Sequence, residues 1–150
     1  MEGDEGKILE ELLREVCFLI KKVGRQVLRD FNITPAQFEV LQKLYFKGSM
    51  RMSDMSSELG VAKSTITGIV GGLEEKGYVA KERSSSDRRV ILLSITPEGE
   101  KIIHSVIERR QAFVREMDKQ MEDNMRTKLT EALKIFSEIV RREAGKWYEA

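Results

Sequence analysis

The chain has 150 residues, 34% of them charged and 7% aromatic, which fits one domain of helices with broad solvated faces. Its 26 basic and 25 acidic residues leave a formal net charge of +1, so bulk charge alone does not advertise a nucleic-acid partner. A single cysteine excludes an intrachain disulfide, and no apolar run nears the roughly 18 residues of a membrane span. The start, Met1-Glu2-Gly3-Asp4-Glu5, is acidic and lacks a signal-peptide pattern. The expectation is a cytoplasmic protein with no membrane partner.

Residues 7–31 read as a long amphipathic helix in which Ile8, Leu9, Leu12, Leu13, Val16, Leu19, Ile20, Val23, Val27, Leu28 and Phe31 keep the helical period. At about 1.5 Å per residue it would run roughly 35 Å, long for a domain of this size. Asn32-Ile33-Thr34-Pro35 ends it and opens a second helix, with Thr34 as cap and Pro35 at the first helical position. Phe38, Val40, Leu41, Leu44, Tyr45 and Phe46 give that helix a wide apolar face, and Lys47-Gly48-Ser49 closes it. A short helix follows with Met52, Met55 and Leu59 on one face, then Gly60 at a turn that needs positive φ. The next helix begins near Ala62; Ile66, Ile69, Val70 and Leu73 form its buried stripe, and Gly77 stops it. Val79 to Arg83 and Val90 to Ile95 read as strands joined by a polar tip, Ser84-Ser85-Ser86-Asp87-Arg88-Arg89. Thr96-Pro97-Glu98-Gly99 opens another long helix, with Ile102, Ile103, Val106, Ile107, Phe113, Val114, Met117 and Met121 as its stripe. A polar break at Glu122-Asp123-Asn124 leads to a last helix with Leu129, Leu133, Phe136, Ile139 and Val140 on its core side.

Helix, glycine turn, helix and basic-tipped hairpin, in that order from Met52 to Gly99, read as a winged helix-turn-helix, a module that sets one helix and one hairpin on duplex DNA. The expected fold class is mainly α with a small β-hairpin wing and long terminal dimerisation helices. Residues 1–150 are expected as a single domain, with the DNA-binding lobe at about 32–99 and the dimerisation helices at about 7–31 and 97–145. The terminal helices are expected to pair with a second copy, because a symmetric DNA reader needs a rigid spacer between its two heads.

The buried stripe of the 62–76 helix fixes its outward face, centred on Ser64, Gly68, Gly71 and Glu75 and flanked by Thr65, Thr67 and Gly72. Hydroxyls and first-turn amides there bond phosphates or base edges. From Lys76 to Arg89 the basic residues Lys76, Lys81, Arg83, Arg88 and Arg89 outnumber Glu82 and Asp87. The DNA-contacting set is therefore Lys63, Ser64, Thr65, Thr67, Gly68, Arg83, Arg88 and Arg89. Asp87 is expected to brace an arginine, since a carboxylate facing phosphate is repulsive. Two accounts of the helical glycines stay open: close backbone approach to the groove, or a plain loss of base contacts. One cysteine and one histidine, His104, serve neither nucleophilic nor metal catalysis. No enzyme, cofactor or metal is expected, and His104 reads as solvated. The Met117, Met121, Met125 series reads as adaptable packing, with a ligand pocket as the alternative.

Asp87-Arg88-Arg89-Val90-Ile91-Leu92-Leu93-Ser94-Ile95-Thr96-Pro97-Glu98-Gly99 is similar to the wing signature of the MarR family of transcription regulators, D-x-R followed by a strand ending in (L/I)-T-x-x-G. Leu59-Gly60-Val61-Ala62-Lys63-Ser64-Thr65-Ile66-Thr67 resembles that family's turn and recognition helix, and Leu73-Glu74-Glu75-Lys76-Gly77-Tyr78-Val79 its entry into the wing. The resemblance covers about Asn32 to Gly99. Gly68, Gly71, Gly72 and Ala62 depart from the family's longer polar residues and capping serine. The resemblance implies an obligate dimer built from the terminal helices, a palindromic DNA site, and release by ligand or oxidant. It also implies that Arg89 is the minor-groove arginine. Cys17-Phe18-Leu19 resembles the reactive-cysteine segment of the organic-hydroperoxide-sensing branch. That branch uses nearby tyrosines; this chain has only Tyr45, Tyr78 and Tyr148, and Phe38 stands where a tyrosine is expected.

The functional expectation is a sequence-specific transcriptional repressor that binds a palindromic site on double-stranded DNA as a homodimer and is released by a small apolar or phenolic effector. The effector would sit near the junction of the first helix with the second and with the one after the wing. Cys17 is expected as a plain core cysteine. Two alternatives stand: a dimeric interaction module without DNA binding, and an organic-hydroperoxide sensor acting through Cys17.

Overall fold

In the computed structural model, residues 2–148 are described; Met1, Glu149 and Ala150, the ends of the expected 1–150 domain, lie outside them. Helix α1 spans Glu2–Asp30. It begins before the apolar period does, because Asp4 and Glu5 need no packing to favour a helix N-terminus. Asn32 takes a left-handed φ of 55°, and the N–H of Ile33 donates back to Leu28 O at 2.9 Å, so the chain reverses. Helix α2, Pro35–Lys47, starts in a full capping box: Thr34 accepts the Gln37 N–H, and Gln37 accepts the Thr34 N–H.

Strand β1, Met50–Arg51, leads into α3, Met52–Leu59, and α4 follows at Lys63–Glu75. Gly60 turns the chain between them at φ 66°, and buried Ser56 donates its hydroxyl to Val61 O at 2.7 Å across that turn. Strands β2, Val79–Arg83, and β3, Ile91–Ile95, form the hairpin. The sheet is antiparallel in the order β1-β3-β2, with Met50 opposite Leu93 and Val79 opposite Ile95. The hairpin of the sequence reading thus gains a third strand.

The corner from β3 into α5, Pro97–Asp118, is tightly specified. Thr96 donates its N–H to Tyr78 O at 3.0 Å and its hydroxyl to Gly77 O at 2.6 Å, while accepting the Gly99 N–H at 3.1 Å. Gly99 lies so close that a Cβ would sit 2.2 Å from Tyr78 O. Fully buried Val40, Leu41, Leu44, Met55, Ile66, Val70, Leu73, Leu93, Ile103 and Val106 form the core around α2. Phe46, expected on the apolar face, is instead 65% exposed. Two arginines of α5 hold α1 and α2: Arg109 pairs with Asp30 at 3.0 Å, and Arg110 lies 4.7 Å over the Phe38 ring.

Two compact units are distinguished, one running to Arg110 and one from Gln111. In the first, α1 contributes Val27 and Leu28 to the core, while Ile8, Leu9, Leu12, Val16, Leu19 and Ile20 stay exposed. In the second, α6, Asp123–Tyr148, buries none of its residues, and Leu129, Leu133, Ile139 and Val140 are exposed. Within one chain its stripe is therefore not the core side that periodicity suggested. Met117 and Met125 are likewise exposed. Arg126 closes the α5–α6 turn, bonding Asp118 and Asp123 and donating to the Asp118 and Met121 carbonyls. Among the described residues no helix is long and apolar enough to cross a membrane.

Candidate nucleic-acid interface

Helix α4 buries Ile66, Val70 and Leu73, and this leaves Lys63, Ser64, Thr65, Thr67 and Gly68 exposed on its first two turns. Ala62 occupies the N-cap and makes no side-chain cap bond. The first-turn N–H groups keep their donors free for an acceptor from outside, and the helix dipole favours a negative one. Thr67 donates its hydroxyl proton to Lys63 O at 2.8 Å and so offers only its lone pairs outward.

The glycines divide. A Cβ on Gly68 or Gly71 would meet nothing within 4 Å, but one on Gly72 would lie 2.7 Å from Gln37 Nε2. Gly72 therefore faces α2 and does not flank the outward face, as its helical position had suggested. The far end of that face carries the exposed carboxylates of Glu74 and Glu75.

Part of the basic run is spent inside the lobe. Lys76, half-buried, donates to Asn32 O and to Gln37 Oε1, tying the end of α4 to the turn after α1. Lys81 pairs with Glu74 at 3.3 Å. What remains outward is the wing tip. There the Ser84 N–H donates to Val90 O at 2.9 Å, and the Val90 N–H to Asp87 O at 3.0 Å. Asp87 Oδ1 accepts the Arg89 backbone N–H at 3.0 Å and Arg89 Nε at 3.3 Å. The Arg89 N–H, then its side chain, then the charge of Arg51 hold the Asp87 carboxyl below its usual range. Arg83 donates Nη1 to Arg88 O at 2.8 Å. Arg89 keeps a side chain that is 92% exposed, and Arg88 is exposed as well.

Sequence reasoning missed Arg51. Its proximity to the wing depends on β1 pairing with β3, and a two-residue strand shows no periodicity. His104 is exposed, as expected, but sequence reasoning did not see that its Nε2 lies 3.0 Å from the Tyr45 hydroxyl, a bond between residues 59 apart. Cys17 is exposed on α1, not a core residue, because α1 packs against the lobe only toward its C-terminal end. Among the described residues no three His, Cys, Asp or Glu side chains converge on a metal position.

A cleft of about 360 Å³ lies where α1 ends, α2 begins and α4 ends, lined by Arg25, Arg29 and Lys76 with Ile33 and Pro35. Three cations, Arg25, Arg29 and Lys76, thus stand beside apolar Ile33 and Pro35 in its lining, and Lys76 just past the end of α4 closes its third side.

Comparison with known proteins places these features. The MarR family model matches residues 33–91. The HTH-type transcriptional regulator YsmB of Bacillus subtilis (strain 168) is 36% identical over 115 residues, 77% of this chain and 79% of that protein. The HTH-type transcriptional repressor MdtR of the same organism is 30% identical over 111 residues, 72% of each chain. The crystal structure of the transcriptional regulator Tm0710 from Thermotoga maritima superposes with a TM-score of 0.78 at 44% identity, covering 93% of this chain and 98% of that one.

Proposed function

The chain belongs to the MarR family of transcriptional regulators, and on that premise we propose that it is a repressor that binds palindromic duplex DNA as a homodimer and is released by a small effector. The observation that carries the reading is the pairing of an uncapped, hydroxyl-rich start of α4 with an arginine-tipped wing on one lobe. Lys63, Ser64, Thr65, Thr67 and Gly68 face the major groove, where the first-turn amides take a phosphate and the hydroxyls take base edges. Arg88 and Arg89 reach the adjoining minor groove. Residues 32–99 form the reading lobe, and the terminal helices join the two copies. The exposed apolar residues of α1 and α6 support the dimer. MdtR, a repressor by name, supports the sign of regulation. The lining of Arg25, Arg29 and Lys76 favours an anionic effector, such as a phenolate, over a wholly apolar one.

The test is selection of bound duplexes from a random pool by the purified protein, followed by gel shifts at low and moderate salt. A recovered palindrome is expected. No binding even at low salt would sink the reading in favour of an interaction module. Arg89→Ala is expected to weaken binding by about 1–3 kcal/mol and to leave stability within about 0.5 kcal/mol. Exposed Cys17 favours one further reading, release by organic hydroperoxide. Peroxide release of wild type but not of Cys17→Ser would establish it over the effector.

A further inference from the structure

Resting on the reading of the wing as a DNA contact, we propose that Arg83 is a positioning residue: it holds the wing tip in the shape that Arg88 and Arg89 need, and does not itself contact DNA. Arg83 is the last residue of β2, and residues 84–90 separate it from β3. A loop of that length left unbraced samples many shapes, and fixing its backbone costs conformational entropy at every residue. A floppy wing bears that cost at the moment of binding; a wing ordered beforehand does not.

The bonds that order this wing differ in reach. Those of Asp87 join it to Arg89 and Val90, two and three residues away along the loop. Ser84 N–H to Val90 O closes the base. The bond from Arg83 Nη1 to Arg88 O, at 2.8 Å, ties the arginine tip back to the strand end. Its acceptor is a backbone carbonyl, so it fixes the path of the tip and leaves the guanidinium groups of Arg88 and Arg89 uncommitted to it. Arg51 completes the arrangement from β1: its positive charge favours the ionised form of Asp87, the form that accepts from Arg89. The site thus divides five charged residues into two that touch DNA and three that shape the loop.

The experiment is a double-mutant cycle on a duplex that the wild-type protein has recovered from a random pool, read at low salt. Arg83→Ala is expected to weaken binding of wild type about tenfold, the scale of a lost preorganising contact. In an Arg88→Ala/Arg89→Ala background the same change is expected to do nothing further, and to leave the slope of log affinity against log salt unchanged. A direct phosphate contact would lower affinity in both backgrounds and take about 0.9 off that slope; this result overturns the proposal. A second arm uses the free protein. Arg83→Ala is expected to lower the heteronuclear NOE of the Arg88, Arg89 and Val90 amides, whereas Arg88→Ala leaves it in place. A wing tip that stays as rigid without Arg83 also overturns the proposal. Failure of the wild type to select any duplex would instead strike the functional reading, since the NOE arm reports on the brace without DNA.

Discussion

Gly68, Gly71, Gly72 and Gly99 share one side chain, a hydrogen, and owe it to different causes. Beside Gly99 stands a backbone carbonyl, 2.2 Å from where a Cβ would be, and backbone at a strand–helix corner does not yield. Beside Gly72 stands the end of the Gln37 side chain, which can swing away only by loosening its capping bond to Thr34 and its bond from Lys76. Around Gly68 and Gly71 there is nothing, and helical glycine is weaker than alanine by roughly 0.5–1 kcal/mol. Urea unfolding should therefore rank the alanine variants. Gly99→Ala is expected to destabilise by about 1–3 kcal/mol as an overpacked site, Gly72→Ala by less, and Gly68→Ala and Gly71→Ala are expected to stabilise. If Gly68→Ala stabilises the protein yet weakens DNA binding, close approach of the α4 backbone to the groove is the better account of that glycine. If affinity is unchanged, the glycine merely lacks a base contact. The sequence alone left those accounts level, because it showed which helical face each glycine occupies but not what lies opposite it.

Elements whose ends are set by neighbouring residues were legible. Thr34 with Pro35 starts α2, and Gly60 and Gly77, both at positive φ, end α3 and the turn after α4. Bonds that join residues far apart in sequence were not legible, and they do much of the positioning. The T-x-x-G signature is a case: it was readable as a pattern, but its physical content is the clamp of Thr96 on Gly77 and Gly99. Thr96→Val keeps the shape and removes both side-chain bonds. Each such bond contributes about 0.5–1.5 kcal/mol, so a loss of about 1–3 kcal/mol is expected in thermal or urea unfolding. A loss near zero would mean that Thr96 acts only through its backbone. Between α2 and α3, Glu58 meets Lys47 at 3.0 Å and Lys43 at 3.3 Å. Lys47 first, then Lys43, hold its carboxyl below the usual range. A depressed carboxyl contributes stability above its unfolded pKa of about 4.3 and loses it as pH falls through the lower folded value. Melting temperature followed from pH 6 down to pH 3 is thus expected to fall less steeply in Glu58→Gln than in wild type. Equal slopes would show that the pair is fully screened.

At the scale of the whole molecule the terminal helices stand out for their bare apolar stripes. In α1, Ile8, Leu9, Leu12, Val16, Leu19 and Ile20 are each about half exposed; in α6, Leu133, Ile139 and Val140 are similarly bare. Monomeric proteins rarely expose contiguous apolar patches beyond a few hundred Å². Helices patterned at the 3.6-residue period over so many turns gain their stability from packing, not from propensity. The core that the lobe offers is filled by residues of α2 to α5 with only the end of α1. Periodicity was therefore a sound guide to which residues are apolar and regularly placed. It was silent on whether the partner face belongs to the same chain, because the pattern is the same in either case. In the proposed dimer a second copy would supply that face and also the two-fold axis that a palindromic site requires. Light scattering at low micromolar concentration is expected to give twice the 17.2 kDa chain mass. Leu12→Glu with Leu133→Glu places a carboxylate in each bare stripe and touches no buried residue of the lobe core. That variant is expected to run at the single-chain mass, to keep the lobe's amide dispersion in NMR, and to lose DNA binding because two linked heads bind far more tightly than one. A wild-type protein that stays monomeric under these conditions would remove both the dimer and the palindrome. A charged variant that stays dimeric would place the interface on another face of the chain.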